Sequence, residues 1–336
     1  MLRKNALKTF LFFLFHPNKL ERKLEKIFSN RNVRIKRICF LKTKQIFDNQ
    51  SKVVNLIELE NNLPTKVVLE IYDNKTFFRR NLFAYSSLGE VAHKTKIRVP
   101  KLYGFLRPEK AIIREFVEGE FFHILIEKKK LEIKEIKSLV EKISLSVAKI
   151  HSLCVDKSNE FLTLKLNRKI ENFVFKKIKQ FIKPNIARLQ SEIFRNSEIL
   201  LKKTKKLEKN NSTSLIHGDY HPANFILQKK KLFLTDFDTL ELGNPAKDLG
   251  MFLFQLDRFM GIGRYRREEI EKMKELFLRY YQRYKKVILY PDLETNINCY
   301  QAQMIQYVIA GMIWGETKPK LKDVDALLKK QNKFLL

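Results

Sequence analysis

LIHGDYHPANFIL, Leu215–Leu227, followed after six residues by LTDFD, Leu234–Asp238, is the stretch from which the rest of this chain can be read. Leu215 and Ile216 bury the entrance to a polar loop, and Phe225, Ile226 and Leu227 bury its exit. Gly218 permits a tight backbone beside the acid Asp219. Pro222 stiffens the link between Asp219 and Asn224. The island Ser214–Leu240 reads as two short strands, LIHGD and KLFLTDF, around that loop, with a second acid, Asp236, on the adjoining hairpin.

An acid, an amide five residues on and a further acid suit phosphoryl transfer. That reaction asks for a positioned acceptor oxygen and for cations that neutralise phosphate oxygens. Asp219 can orient a hydroxyl and accept its proton, while Asn224 and Asp236 can hold divalent cations that bridge phosphates. His221 reads as a packed loop histidine, Asp238 as a turn or solvated acid, and His151 as structural.

HGDYHPANFIL resembles the catalytic loop of the aminoglycoside phosphotransferase and choline kinase group, and TDFDTLELGNPAKDLG resembles that family's following metal-binding segment. The resemblance implies an α+β, bilobal protein-kinase-like fold: a small antiparallel β-sheet N-lobe with one helix, and a larger, mainly helical C-lobe. It implies Asp219 as catalytic base, Asn224 and Asp236 as Mg²⁺ ligands, Asp248 as a brace of the catalytic loop and His217 as a residue that holds it. LSVAKIHSL is similar to the helix that ends in a histidine before the substrate region. IREFVEGE is similar to the interlobe hinge, which implies nucleotide contacts at Glu115 and Val117. ATP and Mg²⁺ are the cofactors expected.

The rest of the chain agrees with two lobes. RICFL, KVVNLIEL and KVVLEIY read as strands, the last two joined by an ENNLP turn. Phe78, Leu82, Tyr85 and Leu88 repeat at helical spacing. Ile133, Ile136, Val140, Ile143, Val147, Ile150 and Cys154 form one buried helical stripe. The divisions are a basic extension at 1–30, an N-lobe at 31–114, a hinge at 115–120 and a helical C-lobe at 121–336.

The small lobe departs from the kinase pattern. A kinase carries a lysine on its third strand, paired with a glutamate on the next helix. Here the strand VVLEIYD puts Glu70 in the lysine's place and Arg80 or Asn81 in the glutamate's, which predicts a charge-exchanged Glu70–Arg80 pair on the nucleotide side. Lys66 points to the same strand face but lies about 13 Å along it from Glu70.

Composition sets the remaining bounds. With 67 Lys and Arg against 37 Asp and Glu, the formal net charge is +30, which favours anionic partners and disfavours cationic substrates. The first 45 residues hold thirteen of those bases and two acids. FLFFLF, Phe10–Phe15, falls far short of the roughly 20 apolar residues that cross a bilayer, and no secretory cleavage site follows. The extension is thus a basic amphipathic helix that packs on the body or rests on an anionic membrane surface or nucleic acid. Cys39, Cys154 and Cys299 are too few and too scattered for a disulfide framework or a zinc site, consistent with a reducing, cytoplasmic setting, peripheral to a membrane if the extension binds one. The reading that follows is an ATP-dependent kinase acting on a hydroxyl of a small molecule or a lipid or sugar headgroup. A pseudokinase-like module that binds an anionic partner without catalysis is its rival, motivated by Glu70.

Overall fold

The computed structural model describes residues 5–29, 33–47, 50–60, 64–89, 97–156, 158–163, 184–210, 214–285, 291–314 and 320–335. The chain divides into two compact units: Met1–Phe121 with Phe225–Leu240, and Phe122–Asn224 with Glu241–Leu336.

The first unit is built on strands β1 (Arg34–Phe47), β2 (Gln50–Glu60), β3 (Lys66–Tyr72), β5 (Leu102–Leu106) and β6 (Ala111–Glu115). They form an antiparallel sheet in the order β1-β2-β3-β6-β5. The β2–β3 register sets Lys52 opposite Tyr72 and Val54 opposite Glu70. Side chains alternate across a sheet, so register decides which residues share a face. Val53, Ile57, Val67, Leu69, Ile71 and Ile113 turn to one core, which Ala6, Phe10 and Phe13 of α1 (Asn5–Phe15) and Leu20 and Leu24 of α2 (Pro17–Phe28) complete. Burying Phe10, Phe13, Leu20 and Leu24 is worth roughly 6–12 kcal/mol before ordering costs. One face each of α1 and α2 is therefore part of this unit's core.

The opposite face of the sheet carries Lys52, Glu70, Tyr72 and Arg114, beside α3 (Lys75–Phe83). Asn74 caps α3 by accepting the Thr76 N–H at 2.6 Å, and a π-helical turn, Ala84–Leu88, continues it. A second small sheet joins β4 (Ile97–Arg98), β7 (Glu120–Phe121), β9 (Phe225–Gln228) and β10 (Lys231–Leu234) in the order β4-β10-β9-β7. Residues 225–240 thus belong to the first unit, whereas the sequence divisions grouped them with the helices of 121–336. Backbone pairing with β4 and β7 decides this, and such long-range pairing has no local sequence signal.

The second unit is helical around one two-stranded ladder, β8 (Ser214–Ile216) with β11 (Glu241–Gly243). LIHGD and KLFLTDF are accordingly not partners: the first pairs with β11, and β10 pairs with β9. The helices are α4 (Phe122–Glu127), α5 (Ile133–Ile150), α6 (Glu160–Thr163), α7 (Gln190–Asn210), α8 (Ala246–Ile262), α9 (Arg267–Lys285), α10 (Pro291–Trp314) and α11 (Leu321–Leu335). A capping box between Glu132 and Glu135 starts α5, which buries Ile136, Val140, Ile143, Val147 and Ile150 as the stripe predicts. The helix stops there, so Cys154 is exposed and outside the stripe. Residues 164–183 lie outside the described residues. At Gly250 a Cβ would strike the Ile297 carbonyl and come within 2.9 Å of Tyr300 Cβ, so α8 and α10 approach more closely than any larger residue allows.

Candidate active site

In the second unit the loop after β8 is organised by one buried carboxylate. Asp248, in the first turn of α8, is fully buried. Its Oδ2 accepts the His217 N–H at 2.8 Å, and its Oδ1 accepts the Gly218 N–H at 2.8 Å. His151 Nε2 lies 3.0 Å from Oδ2, and His151 Nδ1 lies 3.0 Å from the Tyr281 hydroxyl. An ionised carboxylate only accepts, so Nε2 carries the imidazole hydrogen and Nδ1 accepts the Tyr281 O–H. Burial alone would raise the Asp248 pKa. The His151 hydrogen bond, followed by the electrostatic influence of His151 and His217 and by the His217 N–H, outweighs burial and holds it below the usual carboxylate value. The acid that the resemblance named as a brace thus pins the two residues immediately before Asp219.

Gly218, at φ 80°, supplies the left-handed step that turns the chain toward Asp219. The Asp219 N–H donates to His217 Nδ1 at 3.3 Å. Tyr220 is fully buried, donates to the Ile143 carbonyl at 2.8 Å and meets Ser146 Oγ at 2.7 Å. The loop is therefore anchored on both sides of the acid, while the Asp219 side chain stays 30% exposed. A 3-10 turn, Pro222–Asn224, brings Asn224 back, and its Nδ2 donates to the Asp219 carbonyl at 2.7 Å. His221 accepts the Ala223 N–H through Nδ1 at 3.1 Å, which leaves Nε2–H to face Asp219 Oδ1 at 3.2 Å. His221, read from sequence as loop packing, is in contact with the acid itself. The structure brings His217, Asp219, Asn224 and Asp248 together, with His151 buried against Asp248.

The first unit holds the other candidates. Asp236 has φ 70°, rare for a residue with a Cβ. Its Oδ1 lies 2.9 Å from Lys52 Nζ. Asp238 is neither solvated nor a plain turn residue: it is 1% exposed, it lies 2.9 Å from Lys52 Nζ through Oδ2, and its Oδ1 accepts Asn81 Nδ2 at 2.7 Å. Asn81 Oδ1 in turn accepts the Phe237 N–H at 3.2 Å. Lys52 is 2% exposed. Burial works to lower its pKa, but Asp236 and then Asp238 overcome this and lift it well above the ordinary lysine value, so it is a cation.

Glu70 pairs with Arg114 on β6, whose Nε and Nη2 donate to Oε1 at 3.0 and 2.8 Å, and it accepts the Tyr72 hydroxyl at 2.5 Å. This corrects the expected Glu70–Arg80 pair. Glu70 and Arg114 stand on adjacent strands and the same face, one diagonal step apart, so the sheet itself makes the contact. Burial would raise the Glu70 pKa, and Arg114 with Lys52 reverses that, leaving it lowered. Arg80 is fully buried and reaches the Asp238 carbonyl at 3.4 Å. Glu115, at the end of β6, accepts the Lys101 N–H through Oε2 at 3.0 Å, and Val117 beyond it is buried. Lys66 faces Glu118 at 3.6 Å.

Lys52, Arg114 and Asn81 are the residues whose parts the sequence reading missed. The signal for Lys52 was present. A hairpin centred on the ENNLP turn places it opposite Tyr72, two residues from Glu70 and on the same face.

Among solved structures, the chain is similar to the amicoumacin kinase hAmiN in complex with AMP-PNP, Ca²⁺ and Ami, at 13% identity and TM-score 0.61 over 88% of this chain and 89% of that one. It is similar to choline kinase LicA from Streptococcus pneumoniae, at 16% identity and TM-score 0.55 over 96% of this chain and 99% of that one. It is also similar to ADP-bound aminoglycoside phosphotransferase APH(2'')-Ib, at 17% identity and TM-score 0.54 over 93% and 99%. At such identities these likenesses show the fold, the protein-kinase-like one. No curated protein matches the sequence. Residues 80–286, more than half of the chain, match the model of the phosphotransferase enzyme family, and the protein belongs to that family.

Proposed function

We propose that this phosphotransferase moves the γ-phosphoryl group of ATP to a hydroxyl of a small molecule or of a lipid or sugar headgroup, with Asp219 as the base. The observation that carries the reading is the catalytic loop. Asp248 pins its approach, Asn224 ties its exit to the Asp219 carbonyl, and the acid between them is the exposed member. A preset base of this kind lets a hydroxyl be aligned and deprotonated without reorganising the loop.

Asn224 and Asp236 are the residues that would hold Mg²⁺. Their donors are an amide oxygen and carboxylate oxygens, the set a hard cation prefers. With Nδ2 of Asn224 committed to the Asp219 carbonyl, Oδ1 would be the atom to hold the cation. The cation, when bound, supplies charge neutralisation at the phosphates. Glu115, at the end of β6, and Val117, just beyond it, serve the nucleotide base in this reading. The nucleotides and the cation named for the similar structures, ADP in one and AMP-PNP with Ca²⁺ in another, support the choice of cofactors. The test is nucleotide consumption with Mg·ATP across a panel of hydroxyl compounds, run beside Asp219→Ala. Turnover with some acceptor that the variant abolishes supports the reading, and equal turnover in the variant removes Asp219 from the mechanism. Glu70, the residue that motivated a non-catalytic reading, is neutralised locally by Arg114 and so does not by itself repel phosphate.

A second observation bears on where the enzyme works. α1 turns Leu11, Phe12, Leu14 and Phe15 outward, the last 74% exposed, with Phe40 of β1 exposed beside the Phe10 ring. Lys8, Lys19 and Arg22 flank them in the open. No helix among the described residues is long and apolar enough to cross a membrane. An apolar helix face with a basic border fits an anionic membrane surface, on which a cytoplasmic enzyme would rest peripherally. Co-sedimentation with phosphatidylserine vesicles, lost in Phe12→Asp/Phe15→Asp, tests it. Binding to RNA instead, or to neither, rejects it.

A further inference from the structure

We propose that Lys52, on β2, is the phosphate-positioning lysine of the nucleotide site, relocated by one strand from β3, where Glu70 stands. The proposal rests on the ATP-dependent reading above.

Lys52 is one of two buried lysines among the described residues, the other being Lys247. A buried ammonium is costly, and an apolar side chain facing Val54 and Tyr72 would be the cheaper choice for stability alone. Its setting points to a task. Nζ lies 2.9 Å from Asp236, the acid read as a metal ligand, and 2.9 Å from Asp238. Asn81 on α3 holds Asp238 and also takes the Phe237 N–H, so the segment between the two acids is fixed while both carboxylates meet one amine.

The exchange between strands is consistent in geometry and charge. Lys52 pairs with Tyr72, two residues from Glu70, and adjacent strands are about 4.8 Å apart. The diagonal step from Lys52 to Glu70 is about 7–8 Å, and the lysine stem carries its amine to Asp236 and Asp238 from a root one strand away. Glu70 is meanwhile satisfied by Arg114 and Tyr72, so the carboxylate left on β3 does not draw Lys52 away from Asp236. Arg80 and Asn81, at the helix positions where a kinase pairs its lysine with a glutamate, turn to the Asp238 carbonyl and carboxylate. The lysine and its helix-held acid are both kept, and both are supplied from other elements: the amine by β2 and the carboxylate by the segment after β10.

The experiment measures the affinity of the full chain for Mg·ATP, Mg·ADP and adenosine by calorimetry, for wild type, Lys52→Met and Lys52→Arg. Charge-assisted contacts to phosphate imply a loss of about 10- to 100-fold for ATP in Lys52→Met. Adenosine affinity should be unchanged, and Lys52→Arg should recover part of the loss. Unfolding midpoints are measured in parallel. Equal weakening of ATP and adenosine in Lys52→Met would make the role structural and overturn the proposal. ATP affinity equal to wild type would overturn it as well. Wild type that binds none of the three would overturn the nucleotide reading itself, a result distinct from the other two. If Lys52→Met does not fold, the comparison of Lys52→Arg with wild type decides. An ATP-selective change in affinity supports the proposal, and identical ATP affinity overturns it.

Discussion

Replacing Asp248 by Asn tests the claim that one carboxylate organises the catalytic loop. Asp248 takes three donors: two backbone N–H groups at 2.8 Å and His151 at 3.0 Å. An Asn oxygen on the side of His217 and His151 leaves an NH₂ facing the Gly218 N–H. That donor becomes a buried, unsatisfied group, worth about 1–3 kcal/mol, and each of the other two bonds falls from charge-assisted to neutral, about 1 kcal/mol apiece. The sum is roughly 3–5 kcal/mol, a large share of an ordinary domain's stability of about 5–15 kcal/mol. Most of the helices lie in the same unit, so far-UV circular dichroism during urea unfolding follows that unit. With a slope of up to ~3 kcal/mol per molar, the midpoint should fall by about 1 M or more. The pH dependence adds a second check. The Asp248 pKa is lowered on folding from 3.8, so its contribution is complete above that value and is lost as pH falls through the lower, folded one. The gap between wild type and variant should hold constant from neutral pH to about pH 5 and close in stronger acid. An unchanged midpoint, or a gap that persists undiminished in strong acid, refutes the assignment of Asp248 as the brace.

Three further outcomes are expected. Asp219→Ala should lower turnover by about 10²–10⁴-fold while shifting the unfolding midpoint little, because its side chain is 30% exposed. Arg114→Met should cost roughly 3–5 kcal/mol by stranding the buried Glu70, and adding Glu70→Leu should restore most of it, as thermal unfolding of the single and double variants would reveal. Gly250→Ala should cost about 1–3 kcal/mol, because the new methyl meets the Ile297 carbonyl, and calorimetric unfolding should register it in the helical unit.

The parts legible in the sequence were those set by local chemistry. The loop after β8 announced itself because its glycine, proline, acid and amide stand within a few residues of one another, and the α5 stripe because helical spacing is a short-range signal. The Glu70–Arg114 pair and the partners of Lys52 depended on strand neighbours: β6 beside β3, and the segment after β10 in the first unit. Nothing near Glu70 in the chain distinguishes Arg80, on the helix that follows β3, from Arg114, three strands on in β6. Asp238 looked solvated because turn acids usually are. Its burial came from Lys52, a residue 186 positions distant. The reading of the kinase pattern rested on position 70 and stopped one strand short of Lys52.

That distance has a consequence for synthesis. The amine at Lys52 is made long before the acids that neutralise it, 184 residues ahead of Asp236. At ~5–20 residues per second a ribosome needs roughly 10–40 s to cover the gap. During that interval the nascent first unit holds an ammonium whose native counter-ions do not yet exist, and β4 lacks its parallel neighbour β10. Residues 1–121 made alone should therefore fail to bury Lys52, and this half of the enzyme is expected to close only after the second crossing of the chain has emerged.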